Sequence, residues 1–518
     1  MLVILLLPYI ALALIGSDEQ LIGFFPDDAF YYLKTAKNFW AMGYPTFDGI
    51  NPTNGFHPLY FLLVTLIVGI VPGSGLLGAV FMVHTLLIGF ALSLLVRPTM
   101  SLNSPWSWIL LALLAIPAPF LFIWVSAGME APLVMLGTIL FLDAWICASK
   151  EYFNNLKDNF YLGMAITVLM LSRLDNILVI PPFILVFLMS IQKSSTGNLG
   201  RKFKNAAAAL TIPSIAGTIY IGVNILTTGH LVPISAAVKA TFFIPFDISW
   251  QASTFNNRLP MTLLAIFPPI VALASLLLVS FRDQPASRYE RIALSLAAVS
   301  ILIYYVYLRF FASNFFGWYF AMPLAATGWL VIRGLIWYQV LPEHFMRFSE
   351  RFPKTLPAAA LVIAFVTNVG FVYYLANVSK SITWHLMQIA KKLDEAVSPD
   401  AIAGTYDAGA IGYFSKAKVI NLDGLANNYP YFENYRRSHR ISEYFADQNV
   451  TVFLLRDEHA INHSEVLSGS YGKARFAPDL RLELLARSEL FRYSIPGNFT
   501  VIAYRYPPGE EDQSPEAD

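Results

Sequence analysis

Nine stretches of this chain are apolar for long enough to be read as bilayer-spanning helices: 1–22, 76–96, 106–125, 131–147, 206–226, 260–280, 292–308, 318–338 and 356–377. A hydrocarbon core about 30 Å thick takes roughly 20 consecutive apolar residues. Inside it every backbone N–H and C=O must be satisfied within the segment. A chain built this way reads as a polytopic helical membrane protein. Its composition agrees, with 56% hydrophobic and 13% charged residues, against about 25% charged in a soluble chain. A net charge of +1 offers no basic footprint for a phosphate backbone, which excludes nucleic-acid partners. One cysteine, Cys147, excludes a disulfide framework or a cysteine-built metal site. The first stretch starts at Met1 without a basic leader or a small-residue cleavage site after it, so it reads as a retained helix and not a signal peptide.

Two further stretches need a decision. Residues 59–71 are apolar but short for a crossing, and 160–191 are too long for one crossing and hold Arg173 and Asp175 in the middle. A charge pair at mid-bilayer is expensive, so the pair belongs at the tip of a hairpin of short helices, 160–171 and 176–191. Loops 192–205, 281–291 and 339–355 carry the Lys and Arg excess and read as cytoplasmic. Counting crossings back from residue 192 places 59–71 along the membrane surface. The expectation is 11 crossings, with the N-terminus inside and the C-terminal segment outside. The outer loops are then 23–75, 126–130, 172–176, 227–259 and 309–317. Asp27, Asp28, Asp48 and Glu130 fall together on that side, with Arg173, Asp175, Lys239, Arg258 and Arg309.

Beyond residue 377 the pattern changes. A helix over 383–397 precedes β-like runs at 402–406, 418–423, 450–456 and 499–506, with helices near 407–415 and 434–448. Strand–helix alternation predicts a small α/β domain. The chain thus divides into a membrane domain, 1–377, an extracytoplasmic domain, 378–506, and a disordered acidic tail, 507–518. No repeat of 20–50 residues and no paired broken helices are seen, which speaks against a transporter.

The first outer loop, from Pro26 to Tyr60, is the richest in chemistry. Residues 28–42 suit an interfacial helix, with Phe30, Tyr31, Leu33, Phe39 and Trp40 toward the membrane and Lys34 and Lys37 toward water. Asp27 and Asp28 either cap this helix or do chemistry. Glu130, in SAGMEAPL, is likewise a helix N-terminal acid or a functional one; paired carboxylates can act as a general base or hold a divalent cation. Arg173 and Asp175 either close the hairpin or serve a ligand. Lys239 and Arg309, set among apolar and aromatic residues, either snorkel to the interface or face a lipid-linked phosphate. His57 and His84 either ligate a metal or are structural histidines, and the structural reading is preferred. Gly404, Gly409 and Gly412 match neither a dinucleotide fingerprint nor a P-loop.

These pieces, in order, resemble the GT-C superfamily of integral membrane glycosyltransferases, and among them the bacterial protein mannosyltransferase and aminoarabinose transferase group. The resemblance is carried by DDAFYYL, FDGINPTNGFHPLY, SAGMEAPL, SRLDN, PISAAVK, the aromatic run from Trp318 to Phe320, and DAGAIGYFS with VINLDGL. It covers the chain to about residue 506. It implies glycosyl transfer from a polyprenyl-phosphate-linked sugar to a hydroxyl of a glycan, lipid or protein acceptor, outside the inner (plasma) membrane, by a single inverting displacement. Asp28 would be the base with Asp27 in support, and Glu130 would orient the acceptor. Lys239, Arg173 and Arg309 would hold the donor phosphate, and His57, Trp318 and Tyr319 the substrate. Some members bind a divalent cation; Mg or Mn here would fall to Asp28 and Glu130, although the loop carries a plain Asp–Asp and no D-x-D or E-x-D. The alternative reading is a transporter or lipid flippase with an outer carboxylate site. A membrane scaffold without catalysis is a third.

Overall fold

A computed structural model describes residues 2–100, 128–150, 153–193, 199–239, 259–281, 287–311, 316–337, 355–438, 440–456 and 488–506. The expected span 106–125, Arg258, most of the loop 339–355 and the tail 507–518 lie outside the described residues.

The chain is an α-helical polytopic membrane protein with a small C-terminal sheet domain. Among the described residues, six helices are long and apolar enough to cross a membrane. In chain order the helical part runs α1 (Leu2–Ile15), α2 (Asp27–Met42), α3 (Pro58–Ile70), α4 (Leu76–Met100), α5 (Ala131–Lys150), α6 (Leu156–Ser172), α7 (Pro181–Lys193), α8 (Leu199–Thr228), α9 (Ile234–Lys239), α10 (Leu259–Phe281), α11 (Arg288–Phe311), α12 (Ala321–Trp337) and α13 (Thr355–Tyr373). Helices α5 and α12 lie largely inside the bundle. Helix α8 turns Ile219 and Leu226 outward, 61% and 86% exposed, which marks a lipid-facing surface.

Two details differ from the sequence reading. The first apolar stretch is not one helix to residue 22. It stops at Ile15, and Ser17 opens a new turn, Asp18–Leu21, through a capping box with Gln20. The expected interfacial helix forms as α2, but Phe30 and Tyr31 do not face lipid. Phe30 packs on Tyr413 and Phe414, Tyr31 on Phe47, and Lys37 lies 3.9 Å from the Tyr413 ring. The C-terminal domain covers this face. Two of the spans also carry charge. Arg333 on α12 pairs with Asp143 on α5 at 2.6 Å, and Trp329 donates to the same carboxylate. Locally satisfied, this pair links two helices.

The helix break at Arg173 falls where the hairpin argument requires it, between α6 and a 3₁₀ segment, Leu174–Val179. Helix α3 has 13 residues, about 20 Å at 1.5 Å per residue, short of a hydrocarbon core.

The C-terminal part holds α14 (Ile382–Ala396), β1 (Ile402–Thr405), α15 (Gly409–Phe414), β2 (Lys418–Asn421), α16 (Ile441–Asp447), β3 (Val452–Arg456), β4 (Glu489–Ser494) and β5 (Thr500–Arg505). The sheet order is β2-β1-β3-β5-β4. Strand β1 pairs parallel with β2 and β3, while β5 runs antiparallel to β3 and β4. Strand β4 was not read from the sequence. It is a partly exposed edge, ELFRYS, without the apolar run that marks β3. The expected helix over 434–448 forms as two pieces, a π-turn at Tyr431–Arg436 and α16.

Candidate active site

The first turn of α2 places four residues on two adjacent faces. Asp27 and Tyr31, four apart, share one face and bind the C-terminal domain. Asp27 accepts hydrogen bonds from the Gly409 and Ala410 amides at 3.1 and 2.6 Å. The Tyr31 hydroxyl accepts from the Ala408 amide at 3.0 Å and from Asn421 Nδ2 at 2.9 Å. Asp28 and Tyr32, one residue on, turn about 100° and face a cavity of about 640 Å³. Neither aspartate caps its own helix, whose N-cap is Pro26. Among the described residues, no hydrogen bond engages the Asp28 carboxylate. Burial pushes Asp28 up to about 6; Lys239 opposes this, and Asp423 and Glu130 add to it. Burial pushes Asp27 to about 8 against the two amide hydrogen bonds, with Asp28 adding to the rise.

Glu130 follows a turn that only glycine can make. Gly128 has φ +73°, and a Cβ there would overlap Phe25 and Ala29. Tyr60 donates to the Gly128 carbonyl at 2.5 Å, and His84 Nε2 lies 3.1 Å from the Tyr60 oxygen. The turn delivers Glu130 to a position that is 0% exposed. There it accepts from Arg173 Nη1 at 2.5 Å and from Tyr32 at 3.5 Å. Arg173 Nε donates to both oxygens of Asp175, at 2.8 and 3.0 Å. Tyr304 completes Asp175 at 3.1 Å, and the Arg173 guanidinium lies 4.1 Å from the Tyr319 ring centre. Arg173 is therefore a fixed plate between two carboxylates and an aromatic face. The hairpin-closing pair and the cavity cation are the same residue.

His57 accepts from the Leu174 amide through Nδ1 at 3.3 Å. That leaves its proton on Nε2, 3.7 Å from Glu130. Burial, with Arg173 second, holds its pKa down near 3, so the ring is a neutral donor at the cavity edge.

Lys239 ends α9 inside the cavity. Burial alone lowers its pKa, but Tyr319 and Asp28 raise it more, and it stays charged. Asn54 of the first loop holds the start of α9, accepting the Ile234 amide at 2.9 Å. Next to it, Gly55 lies so close to the Leu425 carbonyl that a Cβ would not fit. Trp318, Tyr319, Tyr307, Ile303 and Val306 complete the wall, and Val306 is 53% exposed on the outer surface of the bundle.

The structure thus gathers Asp28, Glu130, Lys239, Arg173, His57, Trp318 and Tyr319 around one cavity. It does not bring Asp27 or Arg309 there. Both carboxylate oxygens of Asp27 serve the C-terminal domain, and the Arg309 guanidinium lies 5.1 Å from the Phe310 ring. Glu130 lines the cavity with its carboxylate engaged by Arg173 and Tyr32. Sequence reasoning assigned no role to Tyr32, Tyr304, Asn54 or Asp423, although Asp423 stands in the quoted VINLDGL, and it read Tyr31 only as a membrane-facing aromatic. Among the described residues, no three His, Cys, Asp or Glu are grouped to hold a metal ion. Of the two acids read as possible metal ligands, Glu130 is engaged by Arg173 and Asp28 faces the cavity.

Residues 376–505 match a family model described as Domain of unknown function (DUF8728). No curated protein sequence matches the chain. Solved structures do. The crystal structure of ArnT from Cupriavidus metallidurans bound to undecaprenyl phosphate superposes with a TM-score of 0.57 at 12% identity, over 98% of each chain. The same protein in the apo state gives 0.53 at 13% identity, again over 98% of each. The chain shares the fold of these structures along almost its whole length, and at such identity the likeness speaks for the fold alone.

Proposed function

We propose that this chain is a membrane glycosyltransferase that takes a sugar from a polyprenyl-phosphate donor and passes it to an acceptor hydroxyl on the extracytoplasmic face. The observation that carries the reading is the convergence, on one cavity, of an uncommitted carboxylate, Asp28, and two cations, Lys239 and Arg173. Val306, exposed on the bundle surface, opens one wall toward lipid. The likeness in fold to ArnT, solved with undecaprenyl phosphate, adds support.

In this reading the acceptor oxygen attacks the anomeric carbon as Asp28 takes its proton. The new C–O bond forms as the bond from that carbon to the phosphate oxygen breaks, with inversion. The departing lipid phosphate gains charge, which Lys239 and the Arg173 plate stabilise in place. His57 Nε2–H, Trp318 and Tyr319 hold the sugar. No step runs through a metal.

The test is transfer activity of the purified protein with a panel of polyprenyl-phosphate sugars, alongside Lys239→Ala. The variant is expected to raise the donor KM by more than any fall in melting temperature accounts for, because the Lys239 ammonium faces the cavity and, among the described residues, no ion pair within hydrogen-bond reach is lost with it. Unchanged kinetics would return Lys239 to a snorkelling role. Absence of transfer with every donor, and of polyprenyl phosphate binding, would refute the reading.

The base fixes the pH profile. Asp28 acts as a base only when ionised, and its pKa stands near 6. The rate is expected to rise with pH through a midpoint near 6 and then level off, since Lys239 remains charged above neutrality. A profile flat between pH 5 and 7 would remove Asp28 from that role.

The proposed topology has 11 crossings, with α3 along the outer surface and the C-terminal domain on the side of Asp28. Ser74 lies exposed after α3. In a Cys147→Ser background, Ser74→Cys is expected to react with an impermeant thiol reagent in intact cells. Labelling only after lysis would overturn this topology.

A further inference from the structure

We infer that the C-terminal domain is part of the site's machinery: it sets Asp28 and Lys239 in register by gripping the two segments that carry them. The inference rests on the site assigned above and gives a role to residues that match a domain of unknown function.

The grip on the Asp28 segment is the pair of contacts one residue before and three residues after it. Asp27 accepts the first two amides of α15, and Tyr31 accepts from Ala408 and Asn421. Helix α2 therefore cannot rotate about its axis without breaking four hydrogen bonds to the C-terminal domain.

The grip on Lys239 is independent and apolar. Helix α9 is only 6 residues long, too short to hold its shape alone. Its buried side chains, Ile234 and Val238, pack in one cluster with Leu425 and Tyr429 of the C-terminal domain. Tyr429 also donates to the Val232 carbonyl at 2.7 Å and stacks on His230, with ring centres 3.5 Å apart and planes within 5°. The segment 423–429 thus clamps α9 and the turn that leads into it. Within the same segment Leu425 lines the cavity. Misplacing a reacting group by about 1 Å can cost about 100-fold in rate, so a domain that fixes both groups governs catalysis without touching the reacting atoms.

Asp27, Leu425 and Tyr429 are then positioning residues, and their variants separate the two grips. Leu425→Ala and Tyr429→Phe are expected to raise the donor KM and weaken polyprenyl monophosphate binding about tenfold, with the pH midpoint of kcat moved upward as Lys239 leaves Asp28. Asp27→Asn is expected to lower kcat about tenfold with the donor KM unmoved. Variants that lose kcat and affinity together, in proportion to a fall in melting temperature, would show a merely structural domain. A second readout needs no activity. Modification of Lys239 by an amine-reactive reagent, followed by mass spectrometry on the full-length protein, is expected to quicken several-fold in Leu425→Ala and Tyr429→Phe, while lysines elsewhere keep their rates. Unchanged Lys239 labelling would overturn the clamp. Faster labelling in a protein that transfers no sugar would keep the clamp and reject the glycosyltransferase.

Discussion

Asp28→Asn is expected to fold and insert normally and to lose transfer by about 10²–10⁴-fold, the usual effect of removing a general base. Asparagine has nearly the same shape, and the Asp28 side chain makes no hydrogen bond among the described residues that the amide would have to replace. Helix α2 starts without a side-chain cap, so no cap is lost either. Asp27→Asn behaves differently. It disturbs the two amide contacts to α15 and is expected to lower the melting temperature more and the rate less. Transfer rate and thermal unfolding in detergent, measured side by side, separate the two. Near-wild-type turnover in both single variants and in the double variant would sink the base assignment. The first loop would then be a mount for the C-terminal domain and nothing more.

The second large effect concerns stability. Glu130 is wholly buried and faces Arg173, which also holds Asp175. Breaking one side of a buried ion pair leaves an uncompensated charge and costs about 3–5 kcal/mol. Arg173→Met, which leaves two carboxylates without their cation, is expected to fall in that range by denaturation in detergent, and Glu130→Gln, which leaves Arg173 paired with Asp175, to cost less. The double variant should cost less than the sum, with a coupling of about 0.5–3 kcal/mol, because removing both partners leaves neither the carboxylate nor the guanidinium orphaned by the other's loss. Strict additivity would mean that Glu130 does not act through Arg173, and a direct role toward the acceptor would regain its place. With the pairing upheld, Glu130→Gln is expected to act on the rate through Arg173.

The fold class was legible because the bilayer imposes a simple rule. Every backbone group in it must be satisfied locally, so spans appear in the sequence as uninterrupted apolar runs. The same rule located the break at Arg173, since a charge pair tolerates a hairpin tip and not a mid-span. Strands β1, β2, β3 and β5 were readable from their buried apolar runs, while β4, a partly exposed edge, carries no such run.

The chain alone also isolated the polar residues of the outer loops, but it left the roles of neighbouring identical residues undecided. Asp27 and Asp28 differ by one position, and only a helix with a partner on one face can send one carboxylate to the C-terminal domain and the other to the cavity. Glu130 and Arg173 lie 43 residues apart, and nothing local to either encodes their contact. Arg309 and Lys239 look alike in sequence, each a lone cation among aromatics; the tertiary packing puts Lys239 at the cavity wall and leaves Arg309 out of that lining. Periodicity and charge are properties of a segment, so the sequence alone determined which segments are apolar enough to cross and which residues are costly to bury. Convergence is a property of segments packed against each other, and only the tertiary structure decided which of those residues meet.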